Sequence, residues 1–336
     1  MSKSPDPVYG VRTEFLAGDP LRGVGAMAIL AYHALLVALV HTPPRLGFAP
    51  FGPVGNRLLR DLPLGLAVFF CLSGYLISRP FAYWLVAGER RPALGRYLKN
   101  RALRILPAFW VTYTVVLVWK GPGPGGLRGA LATYGLAQSF YPTTASYLIA
   151  QAWTVGVEAM FYLCIPIIFL ALAAVTRLLT RRRTPRDSQP ETASSLTGLV
   201  ILAALGLASL VARSGPPMTG LHLLNPLSAL YNFIPGMALA IAEPVLAPIL
   251  HSRSVVSRLC EAALWVLALV AWAYYSYLWT GGAVSLLAYV QGTRALAETL
   301  GAGGLVGALL VRQWRRGDAP RILFNRPLRF LGQRSY

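Results

Sequence analysis

Charge is what this sequence has least of. Of its 336 residues, 13% are charged, about half the roughly 25% usual in a soluble domain. Acidic residues are the scarcer sign, with 12 against 31 basic. There is no Walker loop, HExxH motif or Rossmann glycine fingerprint, so the usual sequence grounds for an NTPase, a zinc protease or a dinucleotide enzyme are missing. Cysteine is rare too. Cys71, Cys164 and Cys260 each sit in apolar stretches without CxxC or Cys/His spacing, which argues against a disulfide framework or a metal site and for small apolar fillers.

What is present is apolar. Hydrophobic residues make up 55% of the chain and the mean hydropathy is +0.54. Long uncharged runs alternate with short arginine clusters, the pattern of an all-α polytopic transmembrane bundle of about 8–10 spans. Spans are expected at 23–40, 62–86, 103–119, 153–176, 196–212, 224–242, 259–279 and 294–311. The first apolar run leads on into further spans, so it reads as a membrane helix and not as a cleaved leader. The net charge of +19 raises nucleic acid as a partner, but its placement excludes it: 18 of the 31 basic residues fall in 87–104, 177–195 and 312–334. Arginine beside apolar spans marks cytoplasmic loops and suits anionic lipid headgroups. That rule makes residues 1–22 a cytoplasmic N-terminal segment of a cytoplasmic-membrane protein. It also keeps 127–141, which follows the breaker run GPGPGG, as a re-entrant or interfacial helix.

Four constellations carry candidate chemistry. Arg22 and His33 lie eleven residues apart on the first helix, within about 20° of one face and about 16 Å apart along the axis. An intramembrane histidine suits proton transfer and an arginine at the membrane mouth suits phosphate; a structural histidine and a topology-fixing arginine fit equally well. In GLAVFFCLSGYLISRPF (65–81), Ser73 is a helix-packing residue or a hydrogen-bond donor across helices. Arg101 and Arg104 share a helix face ahead of Pro107, as a phosphate clamp or as a stop-transfer cluster. Glu158, alone in QAWTVGVEAMFYLCIP (151–166), must pair, neutralise or work. Thr154 and Tyr162 lie four residues to either side of it, and His33 is a further candidate partner. His41, His222 and His251 read as interfacial, and Glu261 and Glu298 as span-end residues reaching water or a headgroup.

In this order the four blocks resemble the acyltransferase 3 family of bacterial membrane acyltransferases. The arginine, ten residues, then histidine pattern is met by Arg22 and His33. GLAVFFCLSGYLI resembles the family's second-helix motif, Arg101 to Trp110 its RxxRIxPxxW element, and Trp153 to Pro166 its WSLxVExxFYLxxP element, with Thr154 in place of serine. FIPGMALA (233–240) is a weaker match. RPLRFLGQRSY looks like the start of the family's last block, so residues 23–336 are expected to form an acyltransferase 3-like domain lacking its final helix.

The resemblance implies an O-acyltransferase of the bacterial inner membrane, with acyl-CoA, acetyl by default, as donor substrate and no bound cofactor or metal. The acceptor is a hydroxyl of a carbohydrate, glycolipid or related metabolite, as in polysaccharide modification. His33 is then the general base, Glu158 the residue that orients it, and Arg22, Arg101 and Arg104 the holders of the CoA phosphates. Ser73, Trp153, Thr154 and Tyr162 stand around them. A proton-coupled transporter is the rival reading, but it calls for inverted halves with matched broken helices, and the sequence has no such symmetry. Acceptor identity, acyl length and oligomeric state are not legible in the sequence.

Overall fold

The computed structural model describes residues 14–40, 52–123, 125–140, 149, 151–180, 190–214, 227–251, 254–278, 287–323 and 326–334. Among them the secondary structure is entirely helical. In chain order the helices are α1 (Gly18–Val40), α2 (Gly52–Asp61), α3 (Leu64–Val86), α4 (Leu94–Lys120), α5 (Gly126–Tyr134), α6 (Ala152–Thr180), α7 (Pro190–Ser214), α8 (Ile234–Leu250), α9 (Val255–Leu278), α10 (Leu287–Arg316) and α11 (Arg326–Arg334). Among the described residues seven apolar helical stretches are long enough to cross a membrane: α1, α2 running into α3, α4, α6, α7, α9 and α10. A polytopic helical bundle is therefore what the chain forms.

The sixth expected span, 224–242, differs: residues 227–232 form a 3-10 turn and the helix runs from Ile234 to Leu250, 17 residues. Pro235 in the first turn fixes a helical φ and starts the helix. Pro244 and Pro248, beyond the end of the expected span, lie inside it. The segment 127–141 contains the nine-residue α5 and a 3-10 turn at Gln138–Phe140; at about 14 Å, α5 is too short to cross a bilayer. α4 begins at Leu94, so Arg101 and Arg104 sit two to three turns inside a helix. α1 begins at Gly18, so Arg22 is already helical.

Packing fixes the register of the helices. Gly74 of α3 and Gly236 of α8 bring two backbones into direct contact, because a Cβ at either would strike the opposing carbonyl of Phe233 or Cys71. Small residues at such crossings are how helices associate where lipid removes the hydrophobic drive. Around the crossing, Phe161 stacks on Phe233 at 3.7 Å and Phe70 lies 4.7 Å from the same ring. α1 runs antiparallel to α3, with Gly18 beside Leu76 and Gly65 beside Ala28. One end of the bundle gathers the C-termini of α3, α8 and α10 and the N-termini of α4 and α9, through Phe81 against Tyr97, His251 bonded to the Trp314 carbonyl, and Arg315 paired with Glu261. This is the basic end. Glu261 is buried there with Arg312 and Arg315 and does not reach water. Glu298 is partly exposed, meets Tyr231 at 3.4 Å and feels Arg213 and Arg294. His41 and His222 fall outside the described residues.

Candidate functional site

Glu158 lies one and a half turns into α6, and its surroundings decide what the site is. Its Oε1 accepts a hydrogen bond from Tyr162 at 2.5 Å, one turn along, and from Ser73 of α3 at 3.3 Å. The Thr154 hydroxyl goes instead to the Gln151 carbonyl at 2.8 Å, as hydroxyls near helix starts do. Trp153 packs on the main core.

Three arginines surround this carboxylate. Arg22 of α1 is buried, 3.8 Å from Asp19, and within electrostatic reach of Glu158, Tyr162 and Arg101. Arg104 senses Arg22, Tyr162, Arg101 and Glu158. The Arg101 guanidinium lies over the rings of Tyr97, at 5.9 Å, and Tyr162, at 5.5 Å, while Tyr97 donates to the Tyr162 carbonyl at 3.0 Å. The Arg101 Nε is buried and has no hydrogen-bond partner among the described residues. Among the described residues three arginines thus gather with two carboxylates, Glu158 and Asp19, in a place where charge is costly. Tyr97 and Asp19 are additions that sequence reasoning missed. Tyr97 was legible in principle from its four-residue spacing to Arg101.

His33 stands apart from this cluster. The eleven residues from Arg22 set it about 16 Å further along α1. Its Nδ1 lies 2.9 Å from the Ile29 carbonyl and the Tyr32 ring meets it edge-on at 5.2 Å. A carbonyl only accepts, so Nδ1 carries a proton; when the ring is neutral, Nε2 presents a lone pair. The expected pairing of His33 with Glu158 is not formed. Glu158 sits at the Arg22 end of α1, and the backbone of α1 itself orients the imidazole.

A second buried charge group lies two turns along α3. Arg79 donates to both Glu243 oxygens, at 2.8 and 2.7 Å, and Tyr75 donates to the same carboxylate at 2.9 Å. Sequence reasoning missed Glu243 because the expected span ended one residue before it.

No curated protein and no solved structure matches the chain. The family model described as an acyltransferase domain matches residues 19–336, a stretch that holds the arginine cluster, His33 and the whole described bundle from Asp19 onward. The chain belongs to the acyltransferase 3 family and is a membrane acyltransferase.

Proposed function

We propose that the chain moves an acyl group, acetyl by default, from acyl-CoA to a hydroxyl of a carbohydrate, glycolipid or related acceptor. The basic end faces the cytoplasm of a bacterial cell and the donor enters from there. The observation that carries this reading is the convergence of Arg22, Arg101 and Arg104 from two helices on one site, with a buried Arg101 N–H that has no partner among the described residues. Guanidinium donors gathered at one place, one buried and two partly buried, suit phosphate oxygens, which they bind through charge-assisted hydrogen bonds. The nucleotide phosphates of CoA take that place, and the extended arm carries the thioester along α1 toward His33.

His33 is the general base in this reading. Its Nε2 takes the proton of the acceptor hydroxyl as that oxygen attacks the thioester carbonyl. The carbon–sulfur bond then breaks, and the imidazolium returns the proton to the departing CoA thiolate. Glu158 holds the three arginines together before the phosphates arrive. The test is acetyl-CoA consumption by the full chain in proteoliposomes with a hydroxyl acceptor. The expected result is loss of transfer on His33→Ala with fold retained; transfer near the wild-type rate rejects the proposal.

A further inference from the structure

At the end of the bundle away from the basic cluster, a second polar group has no part in donor binding. Asp61, the last residue of α2, is only 9% exposed. Two α9 side chains fix one of its oxygens: Trp272 Nε1 donates to Oδ2 at 3.1 Å and Ser276 Oγ to the same atom at 3.0 Å. Arg57 Nε supports the arrangement by donating to Ser276 Oγ at 2.8 Å. The other oxygen, Oδ1, is buried and has no hydrogen-bond partner among the described residues. A bare buried carboxylate oxygen is costly and calls for a donor. The plane of the carboxylate is set by two bonds from one helix, so the direction in which Oδ1 accepts is set too.

Its level in the fold gives it meaning. α1 and α3 run antiparallel, with Gly18 beside Leu76 and Ala28 beside Gly65. One further turn along both chains brings Tyr32 and His33 level with Asp61. The donor phosphates bind about 16 Å away, at Arg22, so this level belongs to the acceptor.

We infer that Asp61 is a specificity-determining residue for the acceptor, its Oδ1 accepting a hydrogen bond from a second hydroxyl of the molecule acylated at His33. This rests on the acyl-transfer reading above. It makes the acceptor a polyhydroxyl compound such as a sugar, and a simple alcohol a poor substitute. The covalent step is unchanged, and Asp61 takes no proton.

The test uses the full chain in proteoliposomes with acetyl-CoA and two probe acceptors, methyl α-D-glucopyranoside and 1-butanol. Asp61→Asn keeps an oxygen for Trp272 and Ser276 and replaces the accepting Oδ1 with a donor. The expected result is a fall of about tenfold or more in kcat/KM for the glucoside, the size of one hydrogen bond to a charged group. Transfer to butanol and acetyl-CoA binding stay within about twofold of wild type. Trp272→Phe removes one of the two bonds that align the carboxylate and shifts the same ratio in the same direction by less. If Asp61→Asn does not fold, Trp272→Phe decides the matter alone. The inference is overturned by equal losses for both probes, by no change for either, or by a wild-type protein that does not prefer the glucoside. Failure of the underlying reading looks different, because His33→Ala then leaves transfer to both probes intact.

Discussion

Helix α3 carries two buried charge groups two turns apart, and they are built on opposite principles. Near its C-terminal end Arg79 forks onto the Glu243 carboxylate, Tyr75 supplies a further donor and Tyr83 joins the same set. Charges cancel and the bonds cross-link α3 to α8 just beyond the Gly74–Gly236 contact. At Ser73 the arrangement is open: three arginines share Glu158 and Asp19, and an N–H of Arg101 has no acceptor among the described residues. A balanced ion pair inside a bundle is explained by architecture. A gathering of one sign is not explained that way, and in the proposed reading the open group is where the anionic donor binds.

Substitutions separate the two groups. The largest effect falls outside both, at His33→Ala, which is expected to cost about a hundredfold to ten-thousandfold in transfer rate, the range of general-base catalysis, with an unchanged melting temperature. Next comes Arg79→Ala, which strands Glu243 in the interior. It is expected to cost about 3–5 kcal/mol of stability, read as a lowered melting temperature in detergent; a variant as stable as wild type breaks the comparison. Glu158→Gln sharpens it. Here the donor KM is expected to change several-fold, about 1 kcal/mol, while kcat stays near wild type. A kcat loss as deep as that of His33→Ala would return Glu158 to the imidazole. The smallest effect belongs to Thr154→Val, whose hydroxyl only serves the Gln151 carbonyl: stability within about 1 kcal/mol and unaltered kinetics.

The spacing of residues along single helices was legible in the sequence, and the stagger between helices was not. Arg22 with His33, Arg101 with Arg104, and Glu158 with Tyr162 each follow from 3.6 residues per turn. The partner of Glu158 depends on where α6 starts relative to α4. Ala152 packs with Phe109, halfway along α4, and Gln138 Nε2 ties the preceding segment to the Ala152 carbonyl at 2.7 Å. Glu158 then falls beside the arginines of α4, not beside His33. Glu243 was hidden for a related reason, since the sixth expected span, 224–242, starts and ends about eight to ten residues ahead of the helix Ile234–Leu250. Asp61 was invisible because its partners, Trp272 and Ser276, lie more than 200 residues away in sequence.

The central claim is that the open arginine group is the donor site. The most direct measurement is the affinity of acetyl-CoA for the purified full chain, wild type against the double variant Arg101→Ala plus Arg104→Ala, with melting temperatures recorded on the same samples. The account predicts affinity at least about tenfold weaker, from the loss of charge-assisted phosphate contacts, at an essentially unchanged melting temperature. Equal affinity in the two proteins would contradict it.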